Sequence, residues 1–180
     1  MNTLVENKKQ LKKFIKKYKL EDSILIPISC DGNKHPVDDK LSLLYVQLLN
    51  GEEFILPFDH SETLNIDIPN LESDTKKYTY DRKKLNHFIK LDNVVDVNLL
   101  HYMATNVPLS IEEIDTNAHH FFNMMYYRKK NINTIIPVLK HLEYCRELAK
   151  VIKDTIAKHN QYVNAVSYTH LRAHETDSYL

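Results

Sequence analysis

Glycine is scarce in this sequence. Its 180 residues include only Gly32 and Gly51, which lie in different segments. A Walker-type phosphate loop and the dinucleotide-binding fingerprint both need several glycines within one strand-to-helix turn, so that the backbone can approach the phosphates. The sequence therefore excludes both of these nucleotide-binding classes.

Cysteine and long apolar runs are scarce as well. Cys30 and Cys145 are the only cysteines, and they are too far apart for a zinc ribbon or a redox pair. So few cysteines favour a reducing intracellular setting over a disulfide framework. The sequence has no signal-peptide pattern and no apolar run of the roughly 20 residues needed to cross a bilayer. We therefore predict a soluble, cytoplasmic protein with no membrane partner.

Net charge is absent too, because 24 Lys and Arg balance 24 Asp and Glu. No overall basic field indicates nucleic acid. Basic residues nevertheless cluster between Lys8 and Lys19, and again at Arg128, Lys129 and Lys130. Runs of this kind are usually solvated helix faces. The second cluster follows Tyr126-Tyr127, a combination of aromatics and cations that is also typical of single-strand binding surfaces.

The C-terminal segment, Val166–Leu180, reads VSYTHLRAHETDSYL. Its first eleven residues resemble a translated transposase sequencing adapter, and DSYL would come from the index bases that follow. We therefore expect residues 166–180 to be non-native, and the visible chain to be a truncated fragment of a longer protein. The alternative is a natural tail in which His170 and His174 have the spacing of two metal ligands on one helix face.

The apolar pattern of the first third predicts an amphipathic basic helix within residues 1–20, followed by three strands. We place these strands at Ser23–Ser29, Leu41–Leu49 and Glu53–Phe58. Asn50-Gly51 is a strong hairpin signal, so the second and third strands should be antiparallel neighbours. Pro27 lacks an N–H for a ladder, which predicts a sheet edge or a bulge there.

The remainder alternates between loop, helix and strand. Polar residues 65–77 indicate a loop, and helical spacing follows at Tyr80–Ile89 and again from Val97 to Thr105, before Pro108. Val94-Val95 forms a short strand between these helices, and Ile135–Ile156 is a long amphipathic helix. The fold class is therefore α/β, with a mixed sheet flanked by helices, in a domain that spans residues 21–160.

One stretch, residues 77–105, carries a family resemblance. Tyr80-Asp81-Arg82 lies at the start of a predicted helix. Val94-Val95 is the short predicted strand before Asp96, and Leu99-Leu100 lies in the next predicted helix. This order resembles the second exonuclease motif of proofreading domains in family A DNA polymerases. Upstream, the predicted hairpin resembles that family's hairpin, which ends in a proline and a histidine, as Pro57 and His60 do here. The resemblance implies an RNase H-like 3'-5' exonuclease fold of the phage type.

The chemistry of that family requires two divalent ions about 4 Å apart, held by several carboxylates. The resemblance implies four acids: a pair on the first strand, one on the helix after Tyr80 and one on the last helix. Asp81 matches clearly, but Pro27 and Ser29 stand where the pair is expected, and Lys77 replaces the family's asparagine. His141 and Glu143 are only loose substitutes on the last helix. We therefore expect no nuclease activity and no cofactor, with Mg²⁺ or Mn²⁺ needed only if a rearranged site is active, for which the candidates are Asp31, Asp81, Asp96 and Asp115.

Other constellations are weaker. His119-His120 beside Asp115 suggests a metal site, but neighbouring side chains on a helix point about 100° apart. His141 and Glu143 cannot share one helix face, and we interpret them as separate surface positions. Cys145 lies on the apolar side of its helix, which predicts a buried structural thiol.

Two functional hypotheses follow. The first is a catalytically inactive exonuclease-like domain, a pseudoenzyme from the N-terminal part of a phage DNA polymerase or a related DNA-replication protein. It would contact DNA or serve as a scaffold for a downstream polymerase domain or replication protein, in the host cell cytoplasm if the source is viral. The DNA-contact candidates are Tyr80, Arg82, Arg128, Lys129 and Lys130. The second is a stand-alone viral α/β module that binds another protein.

Overall fold

The computed structural model describes residues 2–31, 38–114 and 132–163, in which we number six strands and four α-helices. Short 3₁₀ turns at Ile132–Thr134 and Asn160–Tyr162 flank the last helix. In chain order the elements are β1 (Asn2–Leu4), α1 (Lys8–Tyr18), β2 (Ser23–Ser29), β3 (Leu41–Leu48), β4 (Glu53–Pro57), β5 (Lys77–Thr79), α2 (Arg82–Phe88), β6 (Val94–Asp96), α3 (Val97–Thr105) and α4 (Val138–Lys158).

The strands form one mixed sheet in the order β1-β4-β3-β2-β5-β6. β3 pairs antiparallel with both β2 and β4, whereas β1–β4, β2–β5 and β5–β6 are parallel pairs. The predicted hairpin is confirmed, with Gly51 at a φ of +96° in the turn between β3 and β4. The predicted mixed α/β sheet, with three antiparallel strands at its centre, is therefore correct.

Side chains alternate between the two sides of the sheet, as the pleat of a strand requires. Ile24, Ile26 and Ile28 face α3 and α4, on what we call the α4 face. Leu25 points to the opposite side, where it packs with residues of α1 and α2, on what we call the α1 face. Both faces are buried, which explains why β2 and β3 are almost continuously apolar.

Pro27 is not on an edge strand, because β2 lies between β3 and β5. The edge prediction is therefore wrong, for a geometric reason. The N–H of Ser23 bonds toward β5, to the carbonyl of Lys76, and the nitrogen of Pro27 lies on the same side because strand N–H groups alternate. Since the β2–β5 pairing ends at Ile24, no ladder bond is missing at Pro27. The alternative, an irregularity, occurs one residue on, as a register shift between Ile28 and Ser29.

Two strands were not predicted. β1 lies inside the segment assigned to the basic helix, and its three residues are too few to give an alternating pattern. β5 begins at Lys77, which the sequence places in a loop. The ammonium group of Lys77 is fully buried and donates to the carbonyls of Ser73, Thr75 and Asp92, at 2.6, 3.1 and 3.3 Å. A lysine satisfied by backbone carbonyls in this way gives no sequence signal of burial.

An ion pair ties α4 to the sheet. Arg146 donates to both carboxylate oxygens of Glu53, with Nε–Oε1 at 2.9 Å and Nη2–Oε2 at 2.6 Å, and Tyr45 donates its hydroxyl to the same carboxylate at 2.9 Å. The hydrogen bond from Arg146 is the main reason why the pKa of Glu53 is lowered. Within the described ranges, no helix has the length and apolar character that a membrane span requires.

Candidate functional site

The acidic pair implied by the resemblance would lie on β2. The side chains of β2 that face α4 are Ile24, Ile26 and Ile28, of which the most exposed is only 8% accessible. Pro27 and Ser29 occupy the alternate positions. No residue of β2 is acidic, so the strand offers no carboxylate to either face.

The last helix contributes no acid to this interface either. The side chains of α4 that are buried with β2 in one apolar cluster are Leu142, Cys145, Leu148, Ala149 and Ile152. Its acids, Glu143, Glu147 and Asp154, are exposed to solvent instead. Cys145 is 1% exposed, and burial raises the pKa of its thiol, which confirms the predicted structural role. The space between β2 and α4 is closed by apolar packing.

Asp81 is the N-cap of α2. Its Oδ1 accepts a hydrogen bond from the backbone N–H of Lys84 at 2.9 Å, and the residue is exposed. A carboxylate at this position satisfies one of the unpaired N–H groups of the first helical turn and interacts favourably with the helix dipole. Asp81 therefore has a local structural role that needs no metal.

Asp96 has an even fuller set of partners. Its Oδ1 caps α3 by accepting from the N–H of Leu99 at 2.9 Å, and its Oδ2 accepts from the N–H of Arg82 at 3.0 Å. One carboxylate thus joins the N-termini of α2 and α3. Both of its oxygens are bound to backbone donors, which leaves it poorly placed to be a metal ligand.

Asp31 lies beyond the end of β2, as the sequence predicts. It is buried, and its backbone N–H donates to both carboxylate oxygens of Asp39 at 3.1 and 3.2 Å. Among the residues that the structure describes, no three His, Cys, Asp or Glu side chains are grouped so as to hold a metal ion. The donor set of the described chain therefore does not fit the two-metal centre that the resemblance implies.

Two of the predicted DNA contacts, Tyr80 and Arg82, are half-buried. Tyr80 donates its hydroxyl to the carbonyl of Leu109 at 2.8 Å, and Arg82 donates Nη1–H to the carbonyl of Val94 at 3.2 Å. Burial lowers the pKa of Arg82. These bonds hold α2 and the segment after α3 against the sheet, and each side chain presents only part of its surface to a ligand.

The carboxyl end of β2 is covered by a buried polar cluster that the sequence did not reveal. Asn133 donates its side-chain amide to the carbonyl of Ser29 at 2.8 Å and its backbone N–H to the carbonyl of Cys30 at 2.9 Å. His141 lies 2.9 Å from the carbonyl of Asn133 through Nε2, and its ring centroid is 6.0 Å from that of His60. His60 in turn lies 2.9 Å from the carbonyl of Ile136 through Nε2.

The prediction that His141 lies on the surface is therefore wrong, since its exposure is 3%. Burial lowers its pKa to about 4, so the ring is neutral and donates to the carbonyl of Asn133. A signal was present in the sequence: His141, Cys145, Leu148 and Ile152 recur at helical spacing on one face. Glu143 does lie on the surface, where it pairs with Lys140 at 2.8 Å.

Several other predicted site residues lie outside the described ranges. They comprise the basic cluster Arg128, Lys129 and Lys130, the acid and histidines at Asp115, His119 and His120, and the two tail histidines, His170 and His174. Their assignments stay predictions, as do the boundaries of the domain and of the adapter-like tail.

No protein-family model matches the sequence, and no curated protein matches it either. Solved structures do match. A variant of the catalytic core of RRP6 from Trypanosoma brucei superimposes with a TM-score of 0.59 at 14% identity, over 94% of this chain and 50% of that one. The EXO domain of Nibbler from Aedes aegypti gives a TM-score of 0.53 at 11% identity, over 92% of this chain and 95% of that domain.

A DNA polymerase also matches. The POL domain of Pol1 from M. smegmatis, solved in complex with a DNA primer-template and dNTP, has a TM-score of 0.54 at 15% identity. The match covers 93% of this chain but only 29% of the polymerase chain. The present chain thus spans half of the RRP6 core and under a third of Pol1, but nearly all of the Nibbler domain. At these identities the likeness shows the fold alone, which is the α/β, RNase H-like fold of 3'-5' exonuclease domains.

Proposed function

We propose that this chain is an exonuclease-like domain that contacts DNA without hydrolysing it, as part of a DNA-replication protein of phage type. The observation that carries the proposal is the β2–α4 interface. Ile26 and Ile28 from the strand are buried there with Leu148 from the helix in one apolar cluster, and Pro27 and Ser29 stand where the resemblance implies the acidic pair. Two-metal hydrolysis depends on acids that hold both ions beside the scissile phosphate.

The remaining acids support the same interpretation. Asp81 caps α2, and Asp96 binds the N-termini of two helices. Each therefore has a structural reason to be present in a domain that does not hold metal. A motif such as Tyr80-Asp81-Arg82 is compatible with the fold even where the chemistry is lost, because its residues also cap and anchor α2.

The DNA part of the proposal rests on similarity and on charge. One structural neighbour, the Pol1 POL domain, was solved with a DNA primer-template. In the present chain the basic residues are concentrated in a few segments, although the total charge is zero. Such segregation allows a local attraction for phosphates that the net charge conceals.

The test of inactivity uses the full chain and end-labelled single-stranded DNA, with Mg²⁺ or Mn²⁺. We expect no shortening of the DNA by wild type. The matched variants are Asp81→Ala, which removes both the carboxylate and the cap, and Asp81→Ser, which removes the carboxylate but keeps a good N-cap residue. Digestion by wild type that both variants abolish would overturn the proposal, and the serine variant ensures that unfolding is not the cause.

A further inference from the structure

Helix α1 carries a dense set of lysines and no acid. Its sequence, KKQLKKFIKKY, places Phe14 and Tyr18 against the α1 face of the sheet, where both are fully buried. Lys17 pairs with Glu52. The other lysines of α1 and Lys19, which follows the helix, are exposed to solvent and make no ion pair within the described part of the chain. We call this set the lysine face: Lys8, Lys9, Lys12, Lys13, Lys16 and Lys19.

In the first half of α1 this arrangement opposes the stability of the helix. Lys8 and Lys9 lie in the first turn, next to the positive end of the helix dipole, where acids are preferred. Lys12 lies four residues from both Lys8 and Lys16, and like charges at this spacing repel each other. A helix that needs only solubility intersperses both signs, as α4 does with its Lys140–Glu143 pair. The lysine face is therefore not explained by folding.

We propose that the lysine face of α1 binds the phosphate backbone of nucleic acid. This inference rests on the proposed function and names its contact surface. Lys8, Lys12 and Lys16 form a row with about 6 Å between successive positions along the helix axis. A regular row of cations fits a ligand with regularly spaced anions, which the nucleic-acid backbone is.

The surroundings of the lysine face favour this ligand over other anionic surfaces. The apolar side of α1 is already covered by the sheet, since Phe14 and Tyr18 are 0% exposed, so the helix has no apolar face to insert into a bilayer. No exposed aromatic of α1 accompanies the lysines, because Tyr18 and Phe14 are both buried. Contacts from lysines alone fix phosphates and carry no sequence information. The binding is therefore independent of base sequence and sensitive to salt.

The location of α1 adds a further distinction. It lies on the opposite side of the sheet from α4, so its lysines are remote from the apolar β2–α4 interface. The nucleic acid would pass over the back of the domain relative to that interface.

The experiment measures binding of a fluorescent single-stranded DNA by anisotropy across a salt series. The test variant combines Lys8→Gln, Lys12→Gln and Lys16→Gln, and the matched control removes the same charge from α4 with Lys150→Gln, Lys153→Gln and Lys158→Gln. We expect the α1 variant to bind DNA roughly tenfold more weakly than wild type. The slope of log affinity against log salt concentration should become smaller in magnitude by about 2, because each of the three lost phosphate contacts contributes about 0.7 for a single strand. The α4 control should bind as wild type does.

The outcomes separate this inference from the proposed function. If wild type does not bind DNA at low salt, both fail. If wild type binds and the α1 variant matches the α4 control, the inference is overturned while DNA contact stands. Loss of binding only on neutralisation of Arg128, Lys129 and Lys130 would likewise place the contact elsewhere. Replacement of the three α1 lysines by arginine should preserve binding, because the positive charge at these positions is retained.

A second probe distinguishes nucleic acid from other polyanions. Vesicles that contain an anionic phospholipid, and a polyglutamate peptide, are titrated at the same salt concentrations. We expect weaker association with both than with DNA, and no difference in vesicle binding between the α1 variant and the α4 control. Tighter association with vesicles or polyglutamate than with DNA, lost in the α1 variant, would overturn the assignment.

Discussion

Helices α1 and α4 cover opposite faces of one sheet, and they use charge in different ways. α4 alternates acids with bases, and its Arg146 is tied to Glu53 of the sheet. α1 has lysines only, and a single one of them, Lys17, pairs with an acid in the described ranges. The charges of α4 therefore stabilise the packing of the helix, whereas Lys8 and Lys9 in the first turn of α1 oppose its dipole.

The comparison bears on the proposed absence of nuclease activity. On the α4 face, the apolar core around Ile26 and Leu148 fills the space between β2 and α4 without a carboxylate. Such packing raises stability, because carboxylates crowded around a metal site repel one another when the metal leaves. On the α1 face, the apolar core is equally complete, and the lysine face lies outside that core, exposed to solvent.

The largest effect expected is at the centre of the α4 face. Leu148 is 3% exposed, and Leu148→Ala should lower the free energy of unfolding by about 2–5 kcal/mol. Leu148→Asp should cost more, because it buries a charge without a partner. Urea denaturation followed by circular dichroism measures both variants.

The control on the same helix is Leu139→Asp, at a position that is 69% exposed, where the change should stay within about 0.5 kcal/mol. A Leu148→Asp variant as stable as this control would contradict the closed interface. It would mean that water and ions reach the space between β2 and α4, as they do in a metal site.

A second, smaller effect is the pH dependence of stability that buried His141 on α4 should cause. Burial lowers the pKa of His141 from its ordinary 6.5 to about 4. Above pH 6.5 the ring is neutral in both the folded and the unfolded state. Between pH 6.5 and pH 4 the unfolded chain binds a proton that the folded chain does not, so stability falls as pH falls, by about 3 kcal/mol in total.

The measurement compares urea midpoints at pH 7 and pH 4.5 for wild type, His141→Gln and His87→Gln. Glutamine at position 141 keeps a donor for the carbonyl of Asn133 but cannot titrate, so the loss on acidification should be smaller in that variant. His87 is exposed, and the same replacement there is the matched control for the loss of a histidine. Equal pH dependence in all three proteins would show that His141 is accessible to solvent.

The sequence predicted the fold well where pattern and local chemistry agree. The β3–β4 hairpin follows from two apolar runs on either side of Asn50-Gly51, and helices α2 and α3 follow from apolar residues at helical spacing. These features depend on near neighbours in the chain, so a single sequence contains them.

The features that were missed depend on distant partners. Lys77 is buried because three carbonyls surround it, and β1 exists because β4 offers an edge. His141 is buried because the segment at Asn133 folds over the end of β2. The candidate site is harder still, since Asp81 matches an exonuclease motif, and whether metals can bind depends on which other carboxylates the fold brings near it.

The smallest effect expected concerns Lys8, the first residue of α1, and it has opposite signs for stability and for binding. Lys8→Glu places an acid at the positive end of the helix dipole, which stabilises by about 0.3–1 kcal/mol, and four residues before Lys12, which adds about 0.2–0.5 kcal/mol. The same change should weaken DNA binding more than Lys8→Gln does. Urea midpoints and anisotropy of one set of samples give both quantities. A variant that is less stable than wild type, or that binds DNA equally well, would mean that the lysine serves the helix after all.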